Sequence, residues 1–332
     1  MFIVSQPTVA IIFCLITMLF WGSWTNGQKI VTQSAPLTIF YRDYVYGIVL
    51  VSVLLAFTLG SLGEEGRPFL EDIRQADLRN ILLAVAGGII FNIGNTLLTV
   101  SILLAGLAIA MPVGTGLSLA LGLVVNYLAE PGGKLPFLAT GGGLVLVAIV
   151  LSSIAYKLKG QEASSSESHK GLWIALAAGL TLGFFFVVIS SSLAKELAQP
   201  EAKLLTPYTG LLLFALGVGI SNPLIERLVR HFKLADSEDK TAYKEVPLKL
   251  HGIGLASGVI WGIGMITLLL GSPEAGEAVS FGLSQGATII AVLWGLFAWA
   301  EFKDAPKKAI RLLWLMGFTY VAGLVLIVLA RG

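Results

Sequence analysis

The chain has 332 residues, of which 56% are hydrophobic and 13% are charged, against roughly 25% charged residues in an average soluble domain. A net charge of +2 gives no indication of nucleic-acid binding, and the single cysteine, Cys14, allows no internal disulfide. Hydrophobic runs of about 20 residues recur along the whole chain, and each can cross a bilayer core about 30 Å thick. Lipid offers the backbone no hydrogen bonds, so we expect an all-α integral membrane protein. The first run lacks a charged flank and a cleavage site, which favours a retained helix over a signal peptide.

The hydrophobic runs predict ten transmembrane helices. A polar stretch at 157–170 separates five of them, in a first repeat at 1–156, from five in a second repeat at 171–332. Since five is odd, the second repeat enters the membrane the opposite way up, as in many secondary transporters. The predicted spans are Val9–Gln28, Thr38–Ser61, Leu78–Ser101, Ala105–Leu128, Leu135–Tyr156, Leu172–Leu193, Thr206–Leu228, Leu248–Leu270, Ala275–Ala300 and Ala309–Leu329.

An internal repeat supports this division. The segment AGGIIFNIGN at positions 86–95 is echoed in the second half of the chain by ASGVIWGIGM at positions 256–265. In this register Phe91 corresponds to Trp261, aromatic to aromatic. After a slip of one position, Glu130 corresponds to Glu301 at the close of another hydrophobic run. The chain is therefore expected to contain two versions of one unit.

The loop charges predict the orientation. With the N-terminus outside, most of the 22 lysines and arginines fall in inside loops, as the positive-inside rule requires. The loop at 227–249 contributes much of this difference, although it is acidic as well as basic. We therefore expect both termini outside.

Two polar features occur in the first two spans. Trp21 and Trp24 lie in the segment FWGSWTN, which suits either an aromatic belt at the membrane surface or a wall of a transport cavity. Asp43 lies in the segment YRDY beside Arg42. It is interpreted either as half of an interfacial ion pair or as a proton-binding carboxylate, because a carboxyl group near hydrocarbon readily takes up a proton.

Further polar residues occur within later spans. Asn92 and Asn95, at i and i+3, share a helix face that must meet protein or water. They serve either in hydrogen bonding between helices or as the lining of a cavity. Thr115 lies in a helix weakened by a proline, and Gln285 lies at the middle of the ninth span. The repeat replaces Asn92 and Asn95 by glycine and methionine, so the predicted pocket is asymmetric.

Several chemistries have no counterpart in the sequence. No residue set fits a catalytic triad or a metal-ligand spacing, and there is no phosphate-binding loop. The three histidines lie in or next to predicted loops. These features predict a carrier for a small neutral solute, with no cofactor, no metal and no enzymatic activity.

The sequence resembles the ureide permease family of the drug/metabolite transporter superfamily. The resemblance is carried by LTIF leading into YRDY, and by YGIVLVSVLLAFTLGSLG, AVAGGIIFNIGN, LGLVVNYLAEP and GLSQGATIIAVLWGLFAWAEF. It implies ten helices, a cytoplasmic central loop and proton-coupled uptake of allantoin, uracil and related heterocycles. The central loop is short here and lacks the phosphate-loop-like motif of plant members, which suggests a bacterial member in the inner membrane. The chain is similar, more distantly, to glucose and rhamnose uptake permeases.

The resulting hypothesis is a proton symporter for a ureide or nucleobase, with a site near the bilayer midplane and one half rocking against the other. A monosaccharide permease, a drug exporter of the same superfamily and a non-transporting scaffold or receptor are the alternatives. The last span is packing material or a dimer surface, which leaves monomer and homodimer open. The predicted substrate contacts are Trp21, Trp24, Asn92, Asn95, Thr115, Trp261 and Gln285, and the predicted proton carriers are Asp43, Glu130 and Glu301.

Overall fold

The computed structural model describes residues 1–105, 107–129, 133–158, 165–235, 241–300, 302–303 and 305–330; the side chains of 103, 105, 107–112, 156 and 165–169 are not described. The described chain is built from α-helices and contains no strand beyond one isolated bridge, Leu193 to Leu205. The helices are α1 (Pro7–Ser23), α2 (Thr25–Val31), α3 (Leu37–Phe57), α4 (Phe69–Gln75), α5 (Leu78–Ala105), α6 (Leu107–Ala129), α7 (Leu135–Leu158), α8 (Ser165–Ser190), α9 (Pro207–His231), α10 (Leu248–Ala275), α11 (Glu277–Ser284), α12 (Ala287–Leu293) and α13 (Lys307–Ala330). A 3₁₀ turn, Tyr243–Glu245, precedes α10, and a π-helical turn, Trp294–Ala298, follows α12.

The prediction of a multi-pass membrane protein is confirmed. Nine helical stretches of the described chain are long and apolar enough to cross a membrane, and a shorter apolar helix occupies Val113–Ala129. Each predicted span coincides with one of these stretches. The arrangement of the spans as two inverted repeats stays a prediction.

Two predicted spans contain a break that the sequence analysis did not anticipate. In the first span, the Asn26 amide donates to the Ser23 carbonyl at 2.8 Å, and the Gly27 N–H turns to the Trp24 carbonyl at 3.1 Å. The Asn26 side chain thus binds the Ser23 carbonyl, which the Gly27 N–H would bind in a continuous helix. This exchange separates α1 from α2. In the ninth span, the Gly286 N–H bonds the Leu283 carbonyl at 2.9 Å, which separates α11 from α12.

The short helix α4 was not predicted. Its buried Asp72 accepts hydrogen bonds from the Thr206 N–H at 2.8 Å and from the Thr206 hydroxyl at 3.0 Å. Arg67 donates to the same carboxylate at 2.7 Å. The carboxylate therefore satisfies backbone and side-chain donors at the beginning of α9, and α4 is held against that helix.

The described chain forms two compact units. The first contains residues 1–92 and 188–274, and the second contains residues 93–187 and 275–332. Each unit draws helices from both predicted repeats. A repeat is a relationship between sequences rather than a compact body, so the predicted boundaries at 1–156 and 171–332 are not tested by this division.

In the first unit, glycines bring helix backbones into direct contact. A Cβ atom at Gly258 of α10 would collide with the Tyr44 carbonyl of α3, and a Cβ atom at Gly88 of α5 would collide with the Phe214 carbonyl of α9. Gly88 corresponds to Gly258 in the register that aligns Phe91 with Trp261, and Tyr44 corresponds to Phe214. The contact between α5 and α9 thus recurs, in the same register, between α10 and α3.

A second pair of contacts repeats this relationship. A Cβ atom at Gly217 would collide with the Val85 carbonyl, and one at Gly47 would collide with the Leu255 carbonyl. The two glycines are again equivalent positions of the same register, as are Val85 and Leu255. Small residues at such contacts allow the close approach that stabilises membrane helices.

In the second unit, α7 packs against α13. A Cβ atom at Gly141 would lie 2.7 Å from the Gly323 carbonyl oxygen, and one at Gly323 would lie 2.8 Å from the Gly141 carbonyl oxygen. The backbones of these two helices therefore also touch. A second contact joins α6 and α11, where a Cβ atom at Gly122 would collide with the Phe281 ring.

Candidate functional site

The first unit contains a cluster of aromatic rings around Trp261. The Trp21 ring stacks on the Trp261 ring at a centroid distance of 5.5 Å and an interplanar angle of 7°. The Phe214 ring lies at 5.9 Å and 11°, and the Phe91 ring lies at 4.3 Å. The structure thus brings Trp21 and Trp261, two of the predicted substrate contacts, into direct contact.

The cluster lies midway along α5 and α10. Phe91 and Trp261 are each close to the centre of a 28-residue helix, α5 and α10 respectively. A helix of that length measures about 42 Å, so the centre is far from either end. The Trp21 indole N–H donates to the Trp261 backbone carbonyl at 3.2 Å, which fixes the orientation of this ring.

Trp24, the third predicted tryptophan, joins the same cluster through Tyr44. The two rings lie 4.8 Å apart, and Tyr44 meets the Trp261 ring edge-on at 6.5 Å. Both Trp24 and Tyr44 are buried. These contacts within the protein favour the interpretation of Trp24 as part of an internal site over that of a ring at the membrane surface.

Asn92 lies beside the cluster, immediately after Phe91. Its amide nitrogen donates to the Val218 carbonyl at 3.1 Å and to the Ser221 hydroxyl at 3.0 Å, both on α9. Its carbonyl oxygen is buried without a hydrogen-bond partner among the described residues. Asn92 therefore does bridge two helices, as one interpretation held, and it keeps a free acceptor for a further donor.

The proposed repeat register pairs this position with residues of different chemistry. The residues that correspond to Asn92 and Ser221 are Gly262 and Val51, and these two also face each other, because a Cβ atom at Gly262 would collide with Val51 Cγ1. A polar pair in one copy is thus replaced by an apolar pair in the other.

Asp43 is buried, with only 3% of its surface exposed. One of its carboxyl oxygens lies 2.7 Å from His251 Nδ1, and the other accepts a hydrogen bond from the Tyr243 hydroxyl. The second ring nitrogen of His251 lies 3.0 Å from the Tyr243 backbone oxygen. Asp43 on α3, His251 on α10 and Tyr243 in the 3₁₀ turn before α10 therefore form one polar cluster.

The alternative interpretation of Asp43, an interfacial ion pair with Arg42, is wrong. The Arg42 guanidinium pairs with Glu226 at 2.6 Å. Arg230 lies 3.6 Å from the same carboxylate and donates to the Thr38 hydroxyl. Successive residues of a helix point in different directions, and Arg42 and Asp43 accordingly have separate partners.

Burial and the hydrogen bond to Asp43 raise the pKa of the Tyr243 hydroxyl above its usual range. The hydroxyl therefore stays protonated at neutral pH and acts as a donor to the carboxylate. The Arg42 guanidinium, 5.3 Å from the centre of the Tyr243 ring, opposes this rise.

Sequence analysis missed His251 and Tyr243, because it assigned both residues to a loop or its edge. A signal was nevertheless present. His251 precedes Gly254 by three residues, and a Cβ atom at Gly254 would lie 2.7 Å from Asp43 Cβ. A histidine one helical turn before a close-packed glycine shares its face, and that face meets α3.

The remaining predicted site residues lie elsewhere. Asn95, Thr115 and Gln285 belong to the second unit, where Asn95 is buried and the other two are half-buried. The Gln285 backbone oxygen accepts a hydrogen bond from the Tyr320 hydroxyl of α13. Glu130 and Glu301 lie outside the described residues.

Comparisons with known proteins agree with the resemblance seen in the sequence. A family model for ureide permeases matches residues 40–170. Ureide permease 5 of Arabidopsis thaliana is 23% identical, over 98% of this chain and 95% of that protein. The glucose uptake protein GlcU of Bacillus subtilis is 25% identical, over 88% of this chain and 89% of that protein.

A solved crystal structure shows the same fold. It matches with a TM-score of 0.69 at 18% identity, over 98% of this chain and 99% of the other chain. The predicted resemblance to the ureide permeases, with a similarity to sugar uptake permeases, is thus confirmed. These relatives are permeases rather than enzymes.

Proposed function

We propose that this chain, which is related to the ureide permeases and glucose uptake proteins, is a secondary transporter for a small neutral polar solute. A ureide or nucleobase is the first candidate for the solute, and protons are the proposed coupling ion. The observation that carries the proposal is the aromatic cluster around Trp261. A membrane protein that needed only packing would not require stacked indoles with polar side chains at the centre of its helices.

The chemistry of the cluster suits a flat, uncharged solute. The rings in contact with Trp261 include those of Trp21, Tyr44, Phe91 and Phe214, and all of these are uncharged. Aromatic faces stack on planar heterocycles, and the unpartnered oxygen of Asn92 can accept a hydrogen bond from a solute N–H. Trp261 is only 3% exposed, so a solute would have to displace a neighbouring ring.

The repeated helix contacts support the inverted repeat. Gly88 meets Phe214 as Gly258 meets Tyr44, in the single register that also aligns Phe91 with Trp261. An odd number of spans in each half makes the two copies antiparallel, and exchange between two packings of such halves is the usual basis of alternating access. With both termini outside, as the loop charges favour, the cluster of Asp43 would lie toward the cytoplasmic end of α3.

Asp43 is the leading candidate for the proton carrier. It is buried, its partners in the described chain include no lysine or arginine, and it faces His251, whose imidazole ring can share a proton with the carboxyl group. Asp43 meets α10 at Gly254, which precedes Trp261 by seven residues or roughly 10 Å along the helix. Glu130 and Glu301 remain the second candidates for this role.

Monosaccharide uptake is the second candidate function. The glucose uptake proteins of Bacillus subtilis and Staphylococcus xylosus match 88% and 96% of this chain at 25% and 24% identity. Indole rings also stack on the apolar face of a sugar, and the Asn92 oxygen can equally accept a hydrogen bond from a hydroxyl group.

A thermal-shift screen of the purified protein distinguishes these functions. A ligand that binds only the folded state raises the apparent melting temperature in proportion to the logarithm of its concentration above Kd. Stabilisation by allantoin or uracil would support the ureide proposal, and stabilisation by glucose or rhamnose alone would support the sugar proposal. An absence of stabilisation by any of these neutral solutes, with stabilisation by bulky organic cations, would overturn both.

A further inference from the structure

Hydrogen-bond accounting at His251 fixes the number of protons in the Asp43 cluster. A backbone carbonyl can only accept, so the contact of 3.0 Å with the Tyr243 oxygen requires a proton on His251 Nε2. The Tyr243 hydroxyl donates to one Asp43 oxygen. The remaining contact, 2.7 Å between His251 Nδ1 and the other Asp43 oxygen, requires one more proton, on either the ring or the carboxyl group.

The three contacts together therefore fit the proton-loaded form of the pair. Whichever atom carries the shared proton, Asp43 and His251 together have no net charge. This neutrality is consistent with their burial, because an isolated charge in such a place is costly. A charged ring and carboxylate at this distance would also form a short, charge-assisted hydrogen bond.

We propose that Asp43 and His251 form a two-residue proton-binding site, and that its proton load holds the turn Tyr243–Glu245 against α3 and α10. This inference rests on the proposed proton coupling and gives it a structural consequence. The positioning residue is Tyr243, whose hydroxyl is held by Asp43 and whose backbone oxygen is held by His251.

Loss of the shared proton breaks one hydrogen bond within the cluster. If the remaining ring proton stays on Nε2, two lone pairs face each other between His251 and Asp43. If it moves to Nδ1, the His251 contact with Asp43 survives, and Nε2 then presents a lone pair to the Tyr243 carbonyl. Either way one hydrogen bond becomes a repulsive contact. In the second case the turn loses its bond to His251 directly, and in the first case the repulsion pushes apart the two side chains that hold Tyr243.

The other charged groups around the cluster contact one another. On α3 and α9, Arg42 and Arg230 both contact Glu226. The Arg42 guanidinium also faces the Tyr243 ring, and Tyr46 lies within electrostatic range of the same phenol. Two arginines and one glutamate leave one positive charge over beside the cluster, and the group proposed to gain and lose a proton is the Asp43–His251 pair.

Amide hydrogen exchange, measured together with NMR of the imidazole nitrogens, tests this proposal without any substrate. His169 and His231 are replaced by Gln, so that ¹⁵N-labelled imidazole signals come from His251 alone. Between about pH 5 and pH 9, where histidine charge normally changes, His251 should pass from the doubly protonated or carboxyl-shared form to a single-proton tautomer. Over the same range, the amides of residues 241–246 should exchange about tenfold faster than the intrinsic pH dependence requires, since roughly one charge-assisted hydrogen bond is lost.

Two further variants complete the design. Asp43→Asn and His251→Gln should each abolish the pH-dependent change in exchange, whereas His231→Gln alone should retain it. Tyr243→Phe keeps the ring and the backbone contact, so it should retain the pH dependence with faster exchange at every pH. The proposal is overturned if His251 keeps one protonation state across this range, or if exchange of residues 241–246 does not follow its titration. Since no solute is involved, this failure is distinct from a failure of transport.

Discussion

Phe91 and Trp261 lie in opposite halves of the sequence, yet their ring centroids lie 4.3 Å apart. They are equivalent positions of the proposed repeat, so each contacts its own counterpart. A contact between two equivalent residues is expected where a twofold axis passes between two copies of a unit. If the proposed repeat holds, the proposed substrate site would lie at the approximate symmetry axis between the two copies, which differ there in Phe91 and Trp261 and in Tyr44 and Phe214.

The equivalent glycines Gly88 and Gly258 should have equivalent effects on stability. An added methyl group at either position collides with a backbone carbonyl of the neighbouring helix, so Gly88→Ala and Gly258→Ala should each destabilise by about 1–3 kcal/mol. Both variants should lower the melting temperature of the purified protein.

The matched control for these variants is Gly252→Ala, also on α10. Nothing lies within 4 Å of a Cβ atom at this position. The variant should therefore be neutral or stabilising by up to about 1 kcal/mol, because alanine favours a helix over glycine. Equal melting temperatures for Gly252→Ala and Gly258→Ala would contradict the close contact between α10 and α3.

Trp261→Phe should weaken binding of the solute identified in the thermal-shift screen. The smaller ring preserves an aromatic side chain, as at the equivalent Phe91, but it offers less stacking surface. The loss of about 0.5–1.5 kcal/mol of ring interaction should raise Kd by roughly 2- to 12-fold, measured by the concentration dependence of the shift.

Trp314→Phe serves as the control for this change, because Trp314 on α13 is 64% exposed and lies in the second unit. Its binding should match that of the unmodified chain. If both variants bind with unchanged affinity, the cluster around Trp261 is packing and not a binding site.

Asp43→Asn should separate proton coupling from solute movement. The amide cannot carry a proton into and out of the site, so accumulation against a gradient should be lost while exchange of labelled for unlabelled solute continues. Proteoliposomes measure both activities in one preparation. Loss of solute binding in this variant would instead assign Asp43 to the substrate site.

Asp72→Ala should destabilise the fold without changing affinity for solute. The fully buried carboxylate binds Arg67 at 2.7 Å and the Thr206 N–H at 2.8 Å, and removing one partner of a buried ion pair costs about 3–5 kcal/mol. Thermal unfolding of Asp72→Ala beside Glu71→Gln, an exposed neighbour on the same helix, measures this difference. A melting temperature unchanged from the control would show that α4 does not stabilise α9.

The sequence was sufficient to predict the helical spans, because a bilayer imposes a length and an apolar composition that can be read from the residues. It did not predict the break between α1 and α2. That break depends on the Asn26 side chain capturing the Ser23 carbonyl, a choice between two local hydrogen bonds of similar strength. The helix α4 was missed because its stabilising contacts come from Thr206, far away in the sequence.

The sequence predicted some residues of the candidate site and missed others. Trp21 was singled out because such a ring is costly to face toward lipid away from the interface, and Trp261 because it corresponds to Phe91 in the repeat. The structure places these two residues in contact. For Asp43 the sequence left two interpretations open, an interfacial ion pair with Arg42 and a proton-binding carboxylate. Its partner His251 is 208 residues away, and only the approach of α10 to α3 at Gly254 brings the two together.

The most direct test of the proposed transport is uptake into proteoliposomes with an imposed pH gradient, alkaline inside. The labelled solute is the one that stabilises the protein most among allantoin, uracil, glucose and rhamnose. The account predicts accumulation above the external concentration, which collapses when a protonophore removes the gradient. Binding without flux, or flux that is indifferent to the protonophore and never exceeds equilibrium, would contradict proton-coupled transport.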